Sequence, residues 1–532
     1  MSIANKAQSK RLLAVHGWSA VILGLFLYVV VLTGSVAVLS HEIGLWSGGG
    51  HGHHNVLEHP LHDRIVELVD PLDPAYHEEV SLFQNAAGSV FLFPHGHETT
   101  NEGSFVEKGV RYVLDPVSLE ILQREEGTRS DFAPDHRSAL DRFIVDLHVR
   151  LHAPNPWGLF ATGILGFVML SAAISGIILH KHLIKDLFVA PRLSGLLLNR
   201  RDRHILAGSW SLPFSFILAF TGAFFSFAGT IGLPIVAMAA FGGDQVKAFE
   251  AVRGTPAIED ERPAPIYDLD AMLAESKERV GSTPQFLTIS NWGRADAKLT
   301  VFHGPAEGKI QGSNHVYNAA TGAYEGVKPL FGEKPSLGSA VFAWVGPLHF
   351  GNFAGLMSKA IWVALGLATC YVTLTGLQLW TQRRHESAVW RSMSRAIPIV
   401  GYGTPLGLLG AAFAFFASYP GPNPAYWTAV GFIAASIASI IMGLTIRERT
   451  QLSRSYQGVL AAGLVLLPIL RVTLAEGLWW PQLISQGSVI IITMDLLMLV
   501  CGLGCLAMML GITFERAVAP RPAKQPLMQP AE

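Results

Sequence analysis

Eight stretches of this chain are long and apolar enough to cross a lipid bilayer, and nothing else in the sequence restricts its fold so tightly. A span needs about 20 mostly apolar residues at 1.5 Å rise. Such runs lie at roughly 12–40, 157–180, 205–232, 341–380, 398–417, 427–446, 456–475 and 486–512. Backbone groups facing hydrocarbon must be satisfied internally, so each run reads as a helix. The fourth is long, and its first part, from Ala340 to about Gly355, is expected as a re-entrant or interfacial approach. With 15% charged residues in 532, the chain has too little charge to cover a soluble surface of its size. A net charge of −1 gives no footing for nucleic acid. Cys370, Cys501 and Cys505 all fall in apolar runs and no Cys-x-x-Cys-His exists, which excludes a disulfide framework and c-type haem attachment. Lys6, Lys10 and Arg11 precede an apolar stretch too long for a signal-peptide core, so the first span is expected to be retained.

Basic residues set the expected orientation. Lys181, Lys185, Arg192, Arg200, Arg201 and Arg203 lie between spans two and three. Arg383, Arg384 and Arg391 follow span four, Arg447, Arg449 and Arg454 follow span six, and Arg516, Arg521 and Lys524 follow span eight. All share the side of the N-terminus, so both termini are expected in the cytoplasm. The segments at about 41–150 and 241–338 then face outward. Each alternates apolar and polar residues and ends strands in turns, at Asp115-Pro116 and at Thr321-Gly322. The expected fold is a membrane all-α bundle with two small external α+β domains. Its parts are a first helix (1–40), domain one (41–150), helices two and three (151–240), domain two (241–338), helix four (339–385), a four-helix appendix (386–515) and a Pro-rich tail (516–532).

The chain repeats itself. His16 precedes Thr33-Gly34 in span one by the same spacing as His204 precedes Thr221-Gly222 in span three. An external domain follows each, then a histidine near the outer mouth: His148 (with His152 one turn on) in the first half, His349 in the second. The second spans close on Ser175-Gly176 and Thr375-Gly376. Span–domain–span in one orientation implies a pseudo-two-fold axis along the membrane normal. That axis sets His16 opposite His204 at one depth, and His148 or His152 opposite His349 at another, about 20 Å away by helix rise. Two facing imidazoles are the ligand set of a bis-histidine haem iron. His180 has no repeat partner, since Trp380 holds that position; it is expected to ligate, to replace one of the inner pair, or to shuttle protons. Gly176, Ala173 and Gly166 run back from His180 on one helix face, as a ring groove or a helix seam. His51, His53, His54, His59 and His62 read as a solvated loop or a metal-capturing segment. Arg471 and Glu476 read as an interfacial ion pair; Asp495, deep in span eight, reads as protonated, bonded to a neighbouring helix, or part of a proton path.

Together, Leu147-His148-Val149-Arg150-Leu151-His152, Pro156-Trp157-Gly158, Ser175-Gly176-Ile177-Ile178-Leu179-His180-Lys181, Lys185-Asp186-Leu187-Phe188, the two His…Thr-Gly spans and Leu348-His349-Phe350-Gly351 resemble the PepSY-associated transmembrane helix family over about residues 10–385. The resemblance implies PepSY-like periplasmic domains, a bacterial inner-membrane location and two b-type haems. His16, His180 and His204 would be the inner-haem candidates, and His148, His152 and His349 the outer ones. It also implies outward electron transfer, from a cytoplasmic or quinol donor to a ferric siderophore, another iron chelate or a different periplasmic acceptor. Spans five to eight lie beyond the four-span pattern. Two other readings stand beside this one: a non-enzymatic module that binds or inhibits a peptidase or senses the envelope, and a transporter built on the appendix with Asp495 as coupling residue. No nucleotide-binding glycine loop is present.

Overall fold

The computed structural model describes residues 6–48, 55–99, 105–180, 187, 191, 196–244, 247–248, 259–329, 332, 335–419, 421–475 and 477–512. Lys181, Lys185, Arg192, His51, His53, His54, Glu476 and the tail from residue 516, all singled out above, lie outside these residues. The elements, in chain order, begin with α1 (Lys6–Ala37), α2 (Ser40–Ser47), α3 (His62–Val69), β1 (Glu79–Gln84), β2 (Val90–Thr99), β3 (Phe105–Leu114), β4 (Ile121–Thr128), α4 (Ala139–Arg150) and α5 (Trp157–Leu179). The second half follows with α6 (Leu196–Phe227), α7 (Leu233–Phe241), α8 (Leu269–Val280), β5 (Pro284–Ser290), β6 (Lys298–His303), β7 (Ser313–Asn318), β8 (Tyr324–Lys328), α9 (Leu337–Phe350) and α10 (Gly355–Gln382). Last come α11 (Ala388–Ser418), α12 (Pro424–Thr445), α13 (Arg449–Leu474), α14 (Trp480–Ser485) and α15 (Val489–Met509).

Among the described residues eight helices are long and apolar enough to span a bilayer, which makes this a multi-pass membrane protein. The third and fourth are not single uninterrupted α-helices. The third span continues from Leu197 to Phe241, because a π turn at Ala228–Gly232 joins α6 to α7 without ending the helix. The fourth run is two helices. Gly351 and Gly355 both take left-handed φ, +65° and +55°, which ends α9 and redirects the chain into α10. Gly351 is doubly constrained, since a Cβ there would lie 2.7 Å from the Trp362 ring.

Four spans close a ring: α1 packs on α5 and α10, and α6 packs on the same two. The repeat therefore pairs α1 with α6 and α5 with α10 about a central axis. Both strand-bearing segments sit at the end of the ring where α1 and α6 finish. They are not separate: β1 pairs with β5 antiparallel, Val80 against Ile289 and Leu82 against Leu287. One eight-stranded sheet results, in the order β4-β3-β2-β1-β5-β6-β7-β8. Alternation puts Val80, Leu82, Leu92, Val110, Leu287, Leu299 and Val301 on one face, where Ile65 and Leu68 of α3 and Met272 of α8 complete a common core. His62, expected in a loop or metal segment, starts α3; its ring Nδ1 accepts from the Leu269 N–H at 3.3 Å.

The appendix packs on α1 and α10 through Ile397 of α11, and also on α2 and α4. Phe415, Phe416, Tyr456 and Met494 share a core with Trp46 of α2 and with Phe143 and Leu147 of α4. Asp495, at 0% exposure, is bonded to neighbouring helices. Arg471 Nη2 donates to it at 2.8 Å, Trp46 Nε1 at 2.7 Å and Trp480 Nε1 at 2.9 Å. Asp495 is thus the observed partner of Arg471. A second buried ion pair, Lys359 Nζ to Glu42 Oε1 at 2.6 Å, ties α10 to α2.

Candidate functional site: two histidine pairs in the ring

The ring holds two histidine pairs, one carried by α1 and α6 and one reaching it from α4 and α9, and each pair obeys the internal repeat. His16 on α1 donates from Nδ1 to the Ala172 carbonyl of α5 at 3.0 Å, with Ser175 Oγ also at 3.0 Å. His204 on α6 does the same towards α10, to the Val372 carbonyl at 3.0 Å with Thr375 Oγ1 at 3.2 Å. Ser175 and Thr375 are repeat equivalents, and so are the glycines that follow. Gly176 and Gly376 lie beside the ring carbon Cε1 of His16 and His204, at 3.7 and 3.2 Å from where a Cβ would stand. The two ring centroids are 6.5 Å apart at an interplanar angle of 77°.

The second pair lies nearer the sheet. His148 of α4 donates from Nδ1 to the Val30 carbonyl at 2.9 Å, and His349 of α9 from Nδ1 to Thr221 Oγ1 at 2.9 Å. Thr221 spends its own hydroxyl proton on the Ile217 carbonyl, which leaves the oxygen as acceptor. Gly34 and Gly222 let these rings lie on the helix backbone; a Cβ at Gly34 would meet His148 Cε1 at 2.6 Å and one at Gly222 would meet His349 Cε1 at 3.3 Å. Centroids are 6.2 Å apart and the planes 26° from parallel. The His148 ring rests on residues 30–34 of α1, 14 to 18 residues beyond His16, so the pairs lie roughly 21–27 Å apart along the helix.

In all four rings Nδ1–H is committed to an oxygen, so Nε2 carries the lone pair. Two imidazoles that ligate one ion through nitrogen at about 2 Å place their centroids roughly 6 Å apart. The spacings of 6.5 and 6.2 Å match that geometry. Rotation about the metal–nitrogen axis accommodates either interplanar angle. The donor set thus fits two bis-imidazole iron centres, and the hydrogen bonds to carbonyl and hydroxyl oxygens are the outer-shell contacts that orient such ligands.

The other two histidines do not join these pairs. His152, left-handed at φ +54°, turns its Nε2 to the Phe143 carbonyl at 3.0 Å and packs on the Phe143 ring at 4.3 Å. Burial holds its pKa below the usual imidazole value. His180 caps α5, with Nε2 3.5 Å from Ser209 Oγ. The small-residue stripe behind it splits in function. Gly176 faces His16, whereas Gly166 is a helix seam, its Cβ position 3.1 Å from Ala223 Cβ of α6. Opposite the repeat position, Trp380 packs on Gly17 and on Trp18 at 5.1 Å, and Arg384 lies 3.5 Å over its ring. Seven residues before His148 on α4, burial pushes the Asp141 carboxyl up to about 7, and its Oδ1 has no hydrogen-bond partner. Sequence reasoning missed the Glu42–Lys359 pair, although a lysine within an apolar run is itself a signal that a buried partner exists.

The comparisons with known proteins agree with this repeat-built core. An uncharacterized protein of Pseudomonas aeruginosa is 28% identical over 412 residues, 73% of this chain and 98% of its own length. The model of the PepSY-associated TM region matches residues 13–383, from the start of α1 to the end of α10, and the chain belongs to that family.

Proposed function

We propose that this protein carries electrons across the membrane, with His16 and His204 holding one b-type haem and His148 and His349 a second. The observation that carries the reading is the spacing of the two pairs, 6.5 and 6.2 Å between centroids, with every Nδ1 tied to an oxygen. Haem iron held there would supply reversible one-electron chemistry, tuned by its axial ligands and their hydrogen bonds. The chain's own part is to fix the four imidazoles in one tautomer and to present them across the axis from separate helices. Phe214, buried on α6 ten residues beyond His204, packs edge-on to Trp362 of α10 at 5.5 Å. This aromatic pair occupies the stretch between the two sites.

The acceptor favoured by the family resemblance is a ferric chelate on the sheet side, where reduction weakens the hold of hard oxygen donors on iron. The test is the visible spectrum of detergent-purified protein before and after dithionite. A Soret band that shifts on reduction is expected, and its absence would overturn the proposal. His204→Ala and His349→Ala should each remove about half of the haem. Loss of all haem from either single change contradicts two independent sites.

A further inference from the structure

We infer that Glu79, His95 and His97 form a binding site for one divalent transition-metal ion on the sheet, separate from the histidine pairs in the ring. Strand geometry assembles the cluster. His95 and His97 stand two residues apart on β2, so both side chains leave the same face, and Glu79 of β1 is the direct cross-strand neighbour of His95. Their ligand atoms all lie within 4.8 Å of one another. Atoms that share one ion at about 2.1 Å lie roughly 3–4 Å apart, so an ion needs to draw the group in by about 1 Å. This face is opposite to the one covered by α3 and α8, because Val80 and Leu92 of the shared core have the other parity.

One unmet ring nitrogen in this cluster points to a ligand. His95 is 2% exposed, and its Nδ1 donates to the Phe93 carbonyl at 3.0 Å. That bond fixes the tautomer with a lone pair on Nε2, and this buried nitrogen has no hydrogen-bond partner. A buried acceptor left unmatched is a costly arrangement that a bound ion would relieve. His97 Nδ1 contacts Glu78 Oε1 at 2.7 Å, and the same carboxylate accepts from the His97 backbone N–H at 2.9 Å. A ring nitrogen bonded to a carbonyl or a carboxylate, with the other nitrogen directed at the metal, is the usual outer-shell arrangement of metal-ligating histidine.

Two imidazoles and one carboxylate suit zinc, iron(II), cobalt(II) and their neighbours better than magnesium or calcium, which take oxygen shells. The remaining coordination positions open to a groove of about 880 Å³ between the sheet and α2, lined also by His41, Leu45, Glu107 and Arg129. Arg129 Nη1 donates to Glu107 at 2.7 Å, opposite His97 on β3, so a guanidinium edges the site and favours a metal that carries an anionic second ligand. This inference does not depend on the haem reading, since no ring residue takes part.

The test is metal binding by the full-length purified protein after chelator treatment. Zinc(II) is titrated by equilibrium dialysis, and cobalt(II) by its visible ligand-field bands. One saturable equivalent is expected, weakened at least 100-fold in His95→Ala and in His97→Ala and at least tenfold in Glu79→Gln. A triple change of His51, His53 and His54 to Ala should leave that equivalent in place. Haem content and thermal stability of each variant report that the fold survives. Unchanged binding in His95→Ala, loss of the equivalent in the triple variant, or no saturable binding in the unsubstituted protein would each overturn the assignment.

Discussion

Replacing Asp495 by alanine should be among the most damaging single changes outside the histidine pairs. Its carboxylate accepts from Arg471 Nη2 at 2.8 Å and Nε at 3.3 Å, and from two indoles, Trp46 at 2.7 Å and Trp480 at 2.9 Å. Arg471 and Asp495 are each 1% exposed or less. The substitution removes the acceptor of four donors and leaves a guanidinium buried without its counter-charge. Breaking a buried pair from one side costs about 3–5 kcal/mol, and two orphaned indole N–H groups add about 1 kcal/mol each. A loss of roughly 5 kcal/mol is therefore expected. The assay is denaturant- or heat-induced unfolding in detergent, run on Asp495→Ala, Arg471→Met and the double variant Arg471→Met/Asp495→Leu. Because the single change is costly chiefly through the stranded charge, the double variant should be more stable than Asp495→Ala. A single variant within about 1 kcal/mol of the unsubstituted protein, or a double variant worse than the two losses summed, would refute the argument.

Gly34→Ala should disturb the histidine pair nearer the sheet, since its Cβ would come within 2.6 Å of the His148 ring, while Gly222→Ala, at 3.3 Å from His349, should be milder; haem content and reduced-minus-oxidised spectra of both variants check the order. Asp141 should make stability pH-dependent: its folded pKa of about 7 lies above its ordinary 3.8, so the folded form keeps a proton that the unfolded form releases, and stability falls from about pH 4 to pH 7. Asp141→Asn should flatten that slope in detergent melts between pH 4 and 8, and an unchanged slope would show that another group sets it. Lys359→Met leaves Glu42 buried and unpaired, with an expected loss of about 3 kcal/mol, whereas Lys359→Met/Glu42→Leu should recover most of it in the same unfolding assay.

The spans were legible because bilayer thickness imposes a length and an apolar composition that few other structures share. The repeat was legible as well, and the two facing pairs follow from it: a constant spacing from His16 to Thr33 and from His204 to Thr221 places equivalent residues at equivalent depths in a two-fold ring. What the sequence does not carry is partner identity. Periodicity says which residues share a face, not which distant segment meets it. The pairing of β1 with β5, some 200 residues apart, and the choice of Asp495 as the partner of Arg471 therefore appear only in three dimensions. His148 and His152 looked alike because four residues separate them. They differ because α4 ends at Leu151, with φ +53°, and His152 also turns left-handed, swinging its ring back onto Phe143. The proposed metal site is not legible in the sequence, because it joins His95 and His97 of β2 to a cross-strand neighbour on β1.

The two-fold ring is supported unequally, and the inequality falls on the pair nearer the sheet. His148 rides on α4, which packs against α2, α11 and α12, so the appendix braces it. His349 rides on α9, whose principal neighbour is α6, and Leu337, Val341 and Trp344 of α9 stand exposed. The pair far from the sheet sits on the long ring helices α1 and α6, with Trp390 and Ile397 of α11 packed beside it on α1. The buried Asp495 network fastens α2 to α13 through Trp46 and Arg471, so its loss should reach the sheet-side pair by way of α4 before it reaches the other. Asp495→Ala should accordingly deplete the haem assigned to His148 and His349 while the haem assigned to His204 persists. Equal loss of both would mean that the appendix stabilises the ring as a whole and not one of its faces.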